Sequence, residues 1–106
     1  MAARTYLFVP GNRPERFEKA LASGADRVVL DLEDAVADEA KTLARDAIAN
    51  WAAGALASAR DRIAVRINDF ANAGFADDLR LLREAGLHEV MLPRSEERRV
   101  GKECRL

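Results

Sequence analysis

Cysteine and histidine occur once each in this chain, at Cys104 and His88, and tryptophan and tyrosine once each, at Trp51 and Tyr6. One thiol closes no internal disulfide, which agrees with a reducing cytoplasm. A lone cysteine and a lone histidine build no zinc cluster, so any metal is expected to be a hard ion held by oxygen. No Ser–His–Asp or Cys–His set can be assembled, which disfavours covalent hydrolase chemistry. Neither charge dominates: 17 Lys and Arg stand against 18 Asp and Glu. That balance leaves no basic field for nucleic acid. No apolar run is long enough to span a bilayer. The start, Met1-Ala2-Ala3-Arg4, runs directly into a short apolar stretch with no signal-like segment. Gly11 opens no G-x-G-x-x-G, and Asn12-Arg13-Pro14 forms no phosphate loop of the Walker kind. With 106 residues the chain is one domain at most.

Against these absences stands the run Val28-Val29-Leu30-Asp31-Leu32-Glu33-Asp34-Ala35-Val36, a β-branched stretch driven straight into carboxylates. A strand covered on both faces reads as continuous apolar sequence with its charges expelled to the ends. Three acids crowded at such an end repel one another and resist desolvation unless something there uses them. The bland alternative is a solvated turn and a helix start.

The rest of the chain repeats the pattern. Tyr6 to Val9 predicts a strand ended by Pro10-Gly11, and Asn12 with Glu15 predicts a capping box opening a helix with Phe17, Ala20 and Leu21 inward. Gly24 stops that helix. After the strand at Arg27 to Asp31 or Leu32, a helix over about Asp38 to Ala53 carries Ala40, Leu43, Ala44, Ala47, Ile48 and Trp51 at helical spacing. Ile63 to Ile67 predicts a third strand, Phe75, Leu79 and Leu82 a third helix ending at Gly86, and Glu89 to Leu92 a fourth strand. Strands alternating with amphipathic helices predict a parallel sheet. From Ser95 to Leu106 the chain is dense in charge without apolar period, and reads as a solvated or foreign tail.

In a parallel sheet the carboxyl ends of the strands share one rim, where ligands bind. Pro10-Gly11-Asn12-Arg13, Asp31/Glu33/Asp34, Arg66/Asn68/Asp69 and Arg94 each follow a different strand, so carboxylates and arginines should meet there. Arg66 lies beside a buried layer and needs an anionic partner, either a ligand or simply Asp31 or Glu33. Arg13, Arg16 and Lys19 flank the first helix start, suiting a phosphate-bearing ligand or merely a solvated face. His88 sits on the opposite rim and reads as a surface residue.

Four segments carry a resemblance: Arg4-Thr5-Tyr6-Leu7-Phe8-Val9-Pro10-Gly11-Asn12-Arg13-Pro14, Leu30-Asp31-Leu32-Glu33-Asp34-Ala35-Val36, Val65-Arg66-Ile67-Asn68 and Val90-Met91-Leu92-Pro93-Arg94. In that order the chain resembles the amino-terminal part of the citrate lyase β-subunit and acyl-CoA lyase family of HpcH/HpaI-type aldolases. The resemblance implies residues 1–94 as the amino-terminal half of a (β/α)8 barrel, α/β in class, with about four parallel strands and three helices. It implies a magnesium-dependent carbon–carbon lyase acting on a 3-hydroxyacyl-CoA of the citryl, malyl or citramalyl type, in a homo-oligomeric parent. By position, Arg66 would hold a substrate carboxylate or oxo group. Glu33 and Asp34 would sit beside the metal through water, and Arg13, Arg16 and Lys19 near the CoA end. The direct metal ligands in the family, a glutamate and an aspartate, lie on later strands, and Glu96 and Glu97 do not replace them. Arg94 stands where a lysine is common. Alternatives are a pyruvate-type aldolase acting on free hydroxy-keto acids, a small non-catalytic α/β module, and a gene fragment. The isolated chain is expected to lack lyase activity and to associate or be unstable.

Overall fold

The computed structural model describes residues 5–55, 57–93 and 104–105. Strand β1 (Tyr6–Pro10) leads through a 3-10 turn at Pro14–Arg16 into α1 (Phe17–Ala22), then β2 (Arg27–Asp31). A second 3-10 turn at Asp38–Ala40 opens α2 (Lys41–Gly54), followed by α3 (Ala57–Arg60), β3 (Ile63–Arg66), α4 (Phe75–Ala85) and β4 (Glu89–Met91). The four strands lie in chain order and all pair in parallel. The β–α alternation of apolar stretches is therefore realised as the sequence predicts.

Register fixes what each face carries. Pro10, Asp31, Arg66 and Met91 are aligned across the four strands, as are Val9, Leu30, Val65 and Val90 one residue earlier. Because successive side chains alternate between faces, the second row packs under the helices and the first looks the other way. The helix-side core joins Val9, Val28, Leu30, Ile63, Val65 and Val90 to Phe17 and Ala20 of α1, Ala44 and Ile48 of α2, and Leu81 and Leu82 of α4. Each fully buried aliphatic side chain contributes roughly 1.5–3 kcal/mol by leaving water. On the opposite face, the Nε–H of Arg27 donates to both carboxylate oxygens of Glu89 at 2.9 and 3.0 Å.

Four local expectations are corrected. The Asn12/Glu15 capping box does not form: Arg13 precedes the 3-10 turn with φ −125° and ψ 65°, and no side chain caps it. Pro14 is the reason, since the residue before proline is steered out of helical conformation and the helix must begin later. Where three helices are expected, a fourth, α3, follows Gly54, and its Arg60 donates from Nη1 to the Ala55 carbonyl at 2.7 Å and so caps the end of α2. Leu43, assigned by spacing to the buried face of α2, is exposed. Finally, residues 95–103 and 106 of the charged segment lie outside the described residues, but Cys104–Arg105 form a fifth strand, β5, antiparallel to β4. Gly86 ends α4 as expected, at φ 71°, with the Leu87 amide donating back to the Leu82 carbonyl at 3.0 Å.

Candidate active site

The carboxyl ends of β2 and β3 are joined by one carboxylate. Asp31, the last residue of β2, is 1 % exposed and accepts four hydrogen bonds. Two come from Arg66, Nε to Oδ1 at 3.0 Å and Nη2 to Oδ2 at 2.7 Å, in the bidentate arrangement that suits a guanidinium. Two come from the backbone of the following turn, the Glu33 amide to Oδ1 at 2.8 Å and the Ala35 amide to Oδ2 at 3.0 Å. Burial alone would raise the Asp31 pKa, but the Arg66 contact and the two backbone donors outweigh it and hold the carboxyl below its ordinary value. Asp31 is thus a saturated anchor that fixes Arg66 and the turn together.

Arg66 is the register partner of Asp31 and shares its face. Its guanidinium lies over the Phe8 ring, 4.9 Å from the centroid, a cation–π contact that leaves other N–H groups of the fork unused by Asp31. The hydrogen bond to Asp31 raises its pKa further, so the group is a permanent cation. Its Nε is 3.5 Å from Oε1 of Glu33, too long for a strong hydrogen bond. That Oε1 is buried with no hydrogen-bond partner among the described residues. Burial is the first cause raising the Glu33 pKa, reinforced by the neighbouring Asp34 charge and only partly offset by Arg66. A buried carboxylate oxygen without a hydrogen-bond partner is costly, and its nearest cation is the Arg66 guanidinium. Asp34, next along the turn, is exposed.

The remaining predicted residues separate. Arg16 of the first 3-10 turn and Lys19 of α1 line a groove of about 360 Å³ with Leu7, Phe8, Val9, Pro10 and Ala20. Phe8 borders both this groove and the Arg66 guanidinium, so the two regions adjoin. Arg13 is exposed, 3.8 Å from Glu15, and does not line the groove. Asn68, expected on the rim, is instead tied beneath it: its backbone and side-chain amides both donate to Oδ2 of Asp78, at 2.9 and 2.7 Å. The other oxygen of Asp78 accepts from Nε of Arg45 at 2.7 Å, so this fully buried acid locks α2, α4 and the β3 end together. Asp69 turns back on the Ala71 amide at 3.0 Å. His88 is exposed, and Arg94 lies outside the described residues.

Three residues of this arrangement escape reading by residue type: Phe8, Asp78 and Lys41. Alternation places Phe8 on the face of Asp31, which is a usable signal. Asp78 looks like an ordinary acid in the first turn of a helix, where such charges are common. Among the described residues no group of three or more His, Cys, Asp or Glu side chains is placed to hold a metal ion. The orphaned Glu33 oxygen fits an indirect, water-mediated partner of a hard cation and not a complete metal site. No helix among the described residues is long and apolar enough to cross a membrane.

Comparison with known proteins agrees with this geometry. The chain is 44 % identical over 91 residues to a citrate lyase subunit beta-like protein of Mycobacterium tuberculosis, a match covering 86 % of this chain and 31 % of that one. It is 43 % identical over 94 residues to the L-malyl-CoA/beta-methylmalyl-CoA lyase of Cereibacter sphaeroides, covering 86 % and 29 %. Among solved structures, the citrate lyase beta subunit of M. tuberculosis complexed with oxaloacetate and magnesium superposes with a TM-score of 0.74 at 45 % identity, over 88 % of this chain and 40 % of that one. CitE of the same organism, in complex with magnesium, acetoacetate and coenzyme A, gives 0.73 at 45 % identity over 88 % and 33 %. The chain spans about 30 % of the length of these curated relatives. The model of the HpcH/HpaI aldolase/citrate lyase family matches residues 4–102, and the chain belongs to that family.

Proposed function

We propose that this chain supplies the amino-terminal part of the active site of a magnesium-dependent carbon–carbon lyase acting on a 3-hydroxyacyl-CoA of the citryl, malyl or citramalyl type. The observation that carries the reading is the Asp31–Arg66–Glu33 set: a permanently charged, pre-oriented guanidinium beside a carboxylate oxygen that has no hydrogen bond among the described residues. Relatives with lyase names and a neighbour bound to magnesium and coenzyme A support it.

Arg66, clamped by Asp31 and Phe8, presents its free N–H groups to the carboxylate or oxo group of the substrate and needs no reorganisation to do so. Cleavage breaks the bond between the thioester α-carbon and the carbinol carbon: the hydroxyl proton passes to water, the hydroxyl oxygen becomes a carbonyl, and the bonding pair passes to the thioester enolate, which takes a proton from water to give the shorter acyl-CoA. Arg66 would hold the carboxylate and the carbinol oxygen of the half that leaves as the oxo acid, stabilising the alkoxide formed as the hydroxyl proton departs. Glu33 and Asp34 would stand beside the cation through water, and its direct ligands would come from outside the described residues. When bound, magnesium supplies positive charge to the oxygens on which negative charge develops. Arg16 and Lys19 line the groove beside Phe8 and fit the phosphate-bearing end of a CoA ester, while the exposed Arg13 stands outside it.

The test is turnover of malyl-CoA and citramalyl-CoA by the protein at its full natural length, with and without Mg2+. Thioester loss that requires the metal, and that falls about 100-fold or more in Arg66→Gln, is the expected result. Cleavage of free hydroxy-keto acids with CoA esters untouched would assign the pyruvate-type aldolase reading instead.

A further inference from the structure

Lys41 is the least expected cation in the structure. It is the first residue of α2, where the partial positive charge of the helix terminus opposes an ammonium. It is nevertheless buried, 7 % exposed, where a charge without compensation is strongly disfavoured. No carboxylate lies within ion-pair distance of it among the described residues. Its Nζ donates instead to two consecutive backbone carbonyls, Leu32 at 2.7 Å and Glu33 at 2.9 Å. An aliphatic side chain would fill the same space without that desolvation, so the ammonium is there for the carbonyls.

Those carbonyls belong to the turn that aims Glu33. The Glu33 amide is already fixed by Oδ1 of Asp31 at 2.8 Å; its carbonyl accepts from Lys41 at 2.9 Å and, over a longer 3.3 Å, from the Val36 amide. With both peptide groups flanking its Cα held, the Cα–Cβ bond of Glu33 has one direction. From that Cβ the side chain extends so that Oε1 lies 3.5 Å from Nε of Arg66. We infer that Lys41 is a positioning residue for Glu33: its ammonium, reaching back from the start of α2, sets where the unpaired Glu33 oxygen points. This rests on the reading of Glu33 as part of the Mg2+ and substrate site.

The test is a double-mutant cycle in the protein at its full natural length, with the affinity for oxaloacetate in the presence of Mg2+ as the measurement. Glu33→Gln is expected to weaken binding about tenfold, and Lys41→Met by a similar factor, the usual scale for removing a partner one step from a metal. In the Glu33→Gln background Lys41→Met should cost nothing further, and Lys41→Arg, which keeps the donors, should recover most of the loss. A Lys41→Met penalty of equal size in both backgrounds would show a general structural role and overturn the inference. So would Glu33→Gln weakening binding while Lys41→Met leaves it unchanged, an outcome that leaves the proposed site intact. Glu33→Gln without effect would remove the site reading and this inference with it. Should Lys41→Met not fold, Lys41→Gln, whose amide can still serve one carbonyl, carries the same cycle.

Discussion

Two carboxylates with a single residue between them behave in opposite ways because one is saturated and the other is not. Asp31 has a folded pKa below its ordinary 3.8, so its contribution to stability is complete above that value and disappears as pH falls through the lower folded one. Glu33 has a folded pKa above its ordinary 4.5, so ionising it opposes folding, and stability is lost as pH rises through that higher value. Glu33→Gln should therefore be more stable than wild type at pH 7, by roughly 0.5–1 kcal/mol, with the advantage shrinking toward pH 4. Urea unfolding followed by Trp51 fluorescence reads this directly. The indole packs edge-on to Phe17 at 5.5 Å and donates to Glu18 at 2.8 Å, so its surroundings change as soon as α1 leaves α2. Equal stability of the two proteins at both pH values would contradict the assignment. Asp31→Asn should lose about 3–5 kcal/mol in the same assay, because it strands the Arg66 charge in a buried site.

The elements meet at a point where only one residue type fits. The Gly11 amide donates to the Asp31 carbonyl at 2.8 Å, bringing the loop after β1 down onto the end of β2. A Cβ on Gly11 would stand 2.9 Å from that carbonyl oxygen, 3.2 Å from Cδ1 of Ile48 and 3.3 Å from Cβ of Ala44. The first of these is backbone and cannot yield without moving the strand end that carries the site. Gly11→Ala should cost about 1–3 kcal/mol and weaken Mg2+–oxaloacetate binding in the full-length protein, whereas loss of stability without loss of binding would show that the loop shifts instead of β2. At this scale the sequence was informative wherever one residue type decides the outcome. Apolar stretches such as Val28 to Leu30 marked strands, Gly86 marked a helix end, and Asp31 with Arg66 marked the rim. It was silent where a polar residue is used against its local preference. Asp78 looks solvated but is fully buried between Arg45 and Asn68, and the cap suggested by Asn12 fails because Pro14 fixes the backbone of Arg13. The Asp78 role depends on Arg45, 33 residues away, and no local pattern carries it, whereas the failed cap has a local cause in Pro14.

For the whole molecule, the element that matters is the outer edge of β1. It ends the strand order, so among the described residues one side of its backbone has no strand partner. The strand reads Tyr6-Leu7-Phe8-Val9-Pro10 without a charge, and Tyr6, Leu7 and Phe8 are each more than a third exposed. Uncharged, exposed edges are templates for pairing with another chain, and proteins ordinarily blunt them with charge, bulges or cover. Pro10 removes one donor at the strand end, and among the described residues Leu7 to Val9 carry no charge or proline of that kind. The 106-residue chain on its own should therefore associate, its mass by light scattering rising with concentration across the micromolar range. Leu7→Glu should suppress that rise. The new carboxylate would face Arg16 and Lys19 across the groove they share with Leu7, so the substitution is accommodated within one chain while placing charge on the pairing edge. If the wild-type chain stays monomeric at high concentration and unfolds cooperatively, the edge is covered within the chain itself. If Leu7→Glu associates as readily as wild type, the contact lies elsewhere than on β1.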